Sequence, residues 1–220
     1  MKKIILSLVS GIFLISTASA DVGVNIGVSG TMGLFAASGS ESQSDANGLE
    51  GTTTQEAREI GAGGWESGFI ELRAGRMAIG VDYVPDVFST DTAETIKNDM
   101  GPDETSQTAS ENTVQVDFEE LVTFYASFNL TDNFYVKAGV NSIDVITNES
   151  LTTGSSYDNT SLDGTTVGMG YHHEMDSGLF VRAEGNYMSF DGVTLTSNDN
   201  TLKLKNLDGV TAAISIGKAF

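Results

Sequence analysis

Apolar and polar residues alternate with a period of two over most of the chain, which is the pattern of half-buried β-strands. From Val24 one face reads Val24, Ile26, Val28, Gly30, Met32 and Leu34, and the other Asn25, Gly27, Ser29, Thr31 and Gly33. The C-terminal stretch repeats this, with Val210, Ala212, Ile214 and Ile216 set against Thr211, Ala213, Ser215 and Gly217. Six further strands are predicted near 65–74, 76–85, 113–129, 134–146, 164–174 and 178–193, eight in all. The connections alternate in length. Ala74-Gly75, 129–133 and 175–178 are short turns, whereas 37–64, 86–112, 147–163 and 194–207 are long and polar and read as loops. Short turns at one end and long loops at the other suit an antiparallel barrel that crosses a membrane.

Alternation leaves open which face looks inward, because a soluble ligand-binding barrel puts its apolar side inside. The polar faces favour the inside-out arrangement. They mix both signs of charge with Gly, Ser, Thr and Ala: Glu71 and Arg73, Arg76 and Asp82, Lys137, and Arg182 with Glu184. An eight-stranded interior is just wide enough to be filled by side chains, and opposite charges there can satisfy one another. We therefore expect a lumen charge network of Glu71, Arg73, Arg76, Asp82, Glu119, Lys137, Arg182 and Glu184. Phe128, Phe134, Tyr171 and Phe220 fall near one end of the apolar faces, and Tyr83 and Tyr187 toward the other, as two aromatic girdles would.

Two stretches resist this assignment. In 113–129 the apolar set Val114, Val116, Phe118, Val122, Phe124, Ala126 and Phe128 is interrupted by Glu120. A carboxylate facing lipid is costly, so a bulge at Glu119-Glu120 or a place at the outer interface is expected. Trp65 and Phe69 fall on the nominal interior side, which leaves the start of the second strand uncertain.

The ends and the composition narrow the class. Lys2 and Lys3, the apolar run Ile4 to Ile15 and Ala18-Ser19-Ala20 form a secretory signal, with cleavage expected after Ala20 and a barrel domain over 21–220. The absence of Cys excludes both a lipid-anchored start and a disulfide framework. Beyond the signal no apolar run is long enough for a membrane helix, so a closed barrel is the spanning option left. Eleven basic against 30 acidic residues give a net charge of −19, and loss of Lys2 and Lys3 would make it −21. Such a chain repels phosphate backbones, so nucleic acid is not a partner.

Candidate chemistry is sparse. His172 and His173, the only histidines, point to opposite faces and cannot share a metal. No nucleophile, base and acid share an outward face, which argues against a lipid A-modifying enzyme, and no cofactor motif is present. Segment 86–112 holds Asp86, Asp91, Glu94, Asp99, Asp103, Glu104 and Glu111 against Lys97 alone. It can attract divalent cations weakly, but its spacing matches no calcium loop.

The chain closes on Ile214-Ser215-Ile216-Gly217-Lys218-Ala219-Phe220. A last strand with alternate apolar residues and a terminal Phe resembles the assembly signal of bacterial outer-membrane proteins, carried here by Ile214, Ile216 and Phe220. The third residue from the end is Lys218, where many such proteins have an aromatic. The whole resembles the small eight-stranded class that includes the OmpA transmembrane domain, OmpX, OmpW and the opacity-type proteins. That resemblance implies a Gram-negative outer membrane, contact with lipid and lipopolysaccharide, insertion by the barrel-assembly machinery, and a monomer. The expected role is structural or surface-interacting through four acidic loops. A narrow passive channel for small solutes is the alternative.

Overall fold

The computed structural model describes residues 22–44, 52–89, 92–99, 108–150, 156–197 and 200–220. The expected signal, residues 1–20, lies outside them. The described residues form nine strands: β1 Val22–Ser44, β2 Thr52–Ala74, β3 Met77–Ser89, β4 Ala93–Asp99, β5 Thr108–Asn129, β6 Phe134–Ser150, β7 Thr160–Glu174, β8 Leu179–Ser197 and β9 Asn200–Ala219. Every neighbouring pair is antiparallel, β1 pairs with β9, and β3 pairs with β5, which closes the sheet. β3 and β4 succeed one another along β5, with Ser89 opposite Asp117 and Ala93 opposite Val114. They therefore fill one position in the wall, and the barrel has eight strands.

The faces divide as the period predicts. Val28, Met32, Leu34, Val140, Val167, Met169, Val210, Ile214 and Ile216 are exposed on the outside. Asn25, Ser67, Thr123, Asn141, Thr166, Thr211 and Ser215 are buried within. Trp65 and Phe69 are buried on the inner side of β2, so the interior parity there is real and holds large rings.

Several details differ from the sequence reading. The first short turn is Gly75-Arg76, with Ala74 opposite Met77 and Leu72 opposite Ile79. It is set by Gly75, whose φ of 59° suits the left-handed conformation that such hairpins require. A shift of two residues in pairing leaves every side chain on its face, so alternation could not distinguish this turn from Ala74-Gly75.

The bulge in β5 is present. The register with β6 slips between Glu119 and Val122, and Glu120 has a φ of 51°. It reverses the parity, so Phe118 turns inward and packs with the interior cluster, not toward lipid.

The segments read as long loops are largely strand. β1, β2 and β5 run 22 or 23 residues, roughly 70–75 Å at the usual rise. A membrane crossing needs about 9–11. The sheet thus continues well past the apolar band. Asp86, Glu94, Asp99 and Glu111 lie in these strands, whereas Asp91, Asp103 and Glu104 fall outside the described residues.

Candidate functional site

The interior has two storeys. Toward the short turns it is ionic. Glu71 receives hydrogen bonds from Arg182 (Nη1 to Oε1, 2.6 Å), Asn25 (3.0 Å) and Tyr125 (2.9 Å). Glu184 receives them from Lys137, Tyr135 and Asn186. Asp82 accepts from Ser67 at 2.9 Å. Aromatic faces line the cations: Arg182 stands 5.1 Å over Phe69 and 4.8 Å over Phe180, and Lys137 stands 4.7 Å over Tyr125. Glycine makes this density possible. A Cβ at Gly80 would come within 2.8 Å of Tyr125, and one at Gly170 within 2.4 Å of Tyr135.

The structure thus gathers Glu71, Asp82, Lys137, Arg182 and Glu184 in the lumen. It parts them from three others. Arg73 pairs with Glu174 at 2.9 Å, at the rim below the layer. Arg76 belongs to the turn, where it is exposed, donates to the Leu130 carbonyl and lies 5.3 Å from the Phe128 ring centre. Its side chain is outside the lumen because Gly75-Arg76, and not Ala74-Gly75, is the turn. Glu119 sits beside the bulge on the outer face, in register with Asp86 and Asp144, and is not a lumen residue. Asn25, Tyr125 and Tyr135 are partners that sequence reading did not single out. All lie on interior parity, and a count of buried donors owed to two carboxylates would have pointed to them.

Above this layer is a central cavity with about 50 Å³ open to water, bordered by Ser29, Ser67, Asp82, Thr123 and Thr211. That is room for a few waters. Both polar side-chain atoms of Asn141 are buried nearby without a protein partner.

The outer storey is apolar. Phe35, Trp65, Val84, Val87, Leu121, Ile143, Leu162, Met188, Phe190 and Leu207 form one buried cluster, with Phe88 and Phe118 against it. Phe88 stacks on Phe118 with centroids 4.7 Å apart.

The wall is incomplete beside this cluster. The β2–β3 ladder runs from Ala74↔Met77 to Gly68↔Tyr83 and stops. Among the described residues, Thr52–Ser67 pair only with β1, and β4 pairs only with β5. The cause is local. Met77, Ile79, Val81 and Tyr83 direct their amides to β2, and the next residue of that series is Pro85, which has no N–H to give. Higher up, a Cβ on Gly63 would lie 3.2 Å from Phe88, so the Phe88 ring rests against β2 where hydrogen bonds are missing.

Ile214, Ile216 and Phe220 lie on the outer face with exposures of 66%, 57% and 73%. His172 faces the lumen and His173 the outside.

No protein-family model and no curated protein matches the sequence. Solved structures do match the fold. The chain is similar to the outer membrane protein OprG from Pseudomonas aeruginosa, with 11% identity, 90% of this chain and 96% of that one covered, and a TM-score of 0.55. It is also similar to the outer membrane protein AlkL, with 12% identity, 93% of each chain covered and a TM-score of 0.53. The outer membrane protease OmpT from Escherichia coli aligns over 92% of this chain and 98% of its own, at 9% identity and a TM-score of 0.46. Closed, all-antiparallel, apolar outside and ionic within, the chain has the fold of the small eight-stranded outer-membrane β-barrels.

Proposed function

We propose that this protein resides in a bacterial outer membrane and lets small apolar molecules pass from its outer storey sideways into the bilayer through the seam between β2 and β3. The observation that carries this is the end of the β2–β3 ladder at Gly68↔Tyr83, beside the Phe35–Trp65–Leu121 cluster. An apolar solute on this route meets an apolar lining and then lipid, while the ionic storey blocks the way to the periplasm. Passage of polar solutes along the barrel axis would require breaking the Glu71–Arg182 and Glu184–Lys137 pairs. The reading refines the expected narrow channel and needs no catalysis.

The test exploits a chain without cysteine. Ser67→Cys with Val84→Cys places a pair at the first unmade rung, both inward-facing and buried. Oxidation is expected to abolish uptake of a small apolar fluorophore into vesicles holding the barrel, and reductant to restore it. Uptake that ignores the disulfide sinks the proposal, as would ohmic conductance of simple salts in a planar bilayer.

A structural or surface-interacting role is the second reading, favoured by strands that continue far beyond the apolar band. It is discriminated by an apolar flux equal to that of empty vesicles. On either reading the barrel is a monomer held in lipid and lipopolysaccharide. Its outer carboxylates draw divalent cations weakly, and Ile214, Ile216 and Phe220 serve the assembly machinery.

A further inference from the structure

The mouth of the lumen at the short-turn end, periplasmic on the reading proposed above, carries N–H donors without a hydrogen-bond acceptor. Arg182 donates through Nε to His172 Nδ1 at 2.9 Å. An arginine Nε can only donate, so Nδ1 is the acceptor and the imidazole proton sits on Nε2. That Nε2 is buried and has no hydrogen-bond partner, its nearest carboxylate oxygen, on Glu174, being 3.6 Å away. Asn25, nine-tenths or more buried, points Oδ1 into the same space without a partner. Arg73 spends only Nη1, on Glu174, and retains Nε and Nη2. Arg76 stands at the same opening, spending Nη2 on the Leu130 carbonyl.

The charge around this space opposes that of the chain. Its border holds Arg73, Arg76 and Arg182 against Glu71, with Glu174 beside Arg73, in a protein with 30 acidic and 11 basic residues. Arg182 is neutralised by Glu71, and His172 contributes a neutral N–H. The partly free Arg73 guanidinium and a directed imidazole donor therefore face one opening, with Glu174 Oε2 2.9 Å from Arg73 and 3.6 Å from His172 Nε2.

We propose that this mouth binds an oxyanion, the terminal oxygens of a carboxylate or phosphate group on a periplasmic molecule. One oxygen accepts from His172 Nε2–H and another from the free N–H groups of Arg73. Charge-assisted donors of this kind suit such groups, and a guanidinium offers two parallel N–H bonds. Glu174 is the built-in competitor: it occupies Arg73 when the site is empty and yields it when the anion arrives. Asn25 Oδ1 accepts from a protonated phosphate oxygen, which a carboxylate lacks, so the two classes differ at that residue.

The experiment is a titration of the full barrel in detergent micelles with sodium phosphate and, separately, sodium acetate at constant ionic strength, read by the ring nitrogens of His172. Saturable movement of Nε2 is expected with at least one of them. Phosphate alone points to a phosphate-bearing partner, and acetate alone or both equally to a carboxylate-bearing one. Arg73→Gln should weaken the apparent affinity about tenfold. Glu174→Gln should strengthen it, which a purely structural role for these residues would not do. A His172 that responds to neither anion, or a Glu174→Gln barrel with unchanged affinity, overturns the proposal and leaves a bridging water as the occupant. Should Arg73→Gln fail to give the mobility shift on boiling of a folded barrel, Glu174→Gln carries the test.

Discussion

The two storeys of the lumen fill the same kind of space by opposite means. The ionic one satisfies carboxylates and cations with directed bonds, several reaching across the barrel; Glu71 and Arg182 are 111 residues apart in sequence. The apolar one satisfies nothing, because Phe35, Leu121, Ile143 and Phe190 have no polar atoms to satisfy. An ionic lattice fails if one member is lost, whereas an apolar cluster tolerates an imperfect wall beside it. The seam lies next to the storey that can accommodate it. Breaking β2–β3 pairing at the level of Glu71 would strand charges, whereas breaking it near Leu121 strands none.

The largest effect expected from this difference is at Glu71. Glu71→Ala leaves Arg182 buried without its counter-ion and should cost about 3–5 kcal/mol, measured by denaturant unfolding in vesicles. Replacing both residues by Met should recover most of that loss; if the double variant is no more stable than the single, the lattice is not acting as a unit. In the apolar storey, Leu121→Ala should cost about 2–4 kcal/mol for transfer and residual cavity. It should also raise apolar uptake, because it opens space behind Phe88; unchanged flux would separate the cluster from the route. The smallest effect belongs outside the apolar band. Glu56 lies beside Lys205, whose ammonium hydrogen-bonds it and holds its carboxyl below the usual range. A lowered carboxyl stabilises only above the ordinary carboxylate pKa and loses that contribution on acidification. Both groups are exposed, so Lys205→Met should leave unfolding unchanged within error. An NMR titration should show Glu56 moving up to the normal carboxylate value.

Much of the ionic storey was legible beforehand because its strands alternate cleanly: Asn25, Glu71, Lys137, Arg182 and Glu184 all occupy the polar parity. Arg76 and Glu119 were misplaced for a shared reason. Parity tells which side a residue faces only while the strand continues, and one lies in a turn while the other borders a bulge. The bulge could be anticipated from Glu120, a carboxylate on an apolar face. The apolar storey was not legible. There both faces carry hydrophobic residues, the alternation fades, and Trp65 and Phe69 read as an uncertain strand start when they are interior packing.

What the sequence determined by itself is local and periodic: eight wall strands, their inward and outward faces, a polar filling and the side with short turns. A two-residue repeat carries that information in every dipeptide. Only the tertiary structure decided which charges meet, that the outer lumen is an apolar plug, and that the wall parts above Tyr83. Those depend on which strand lies next to which and at what height. For the seam the deciding fact is one missing amide at Pro85, which is visible as a residue but meaningful only once β2 is its neighbour.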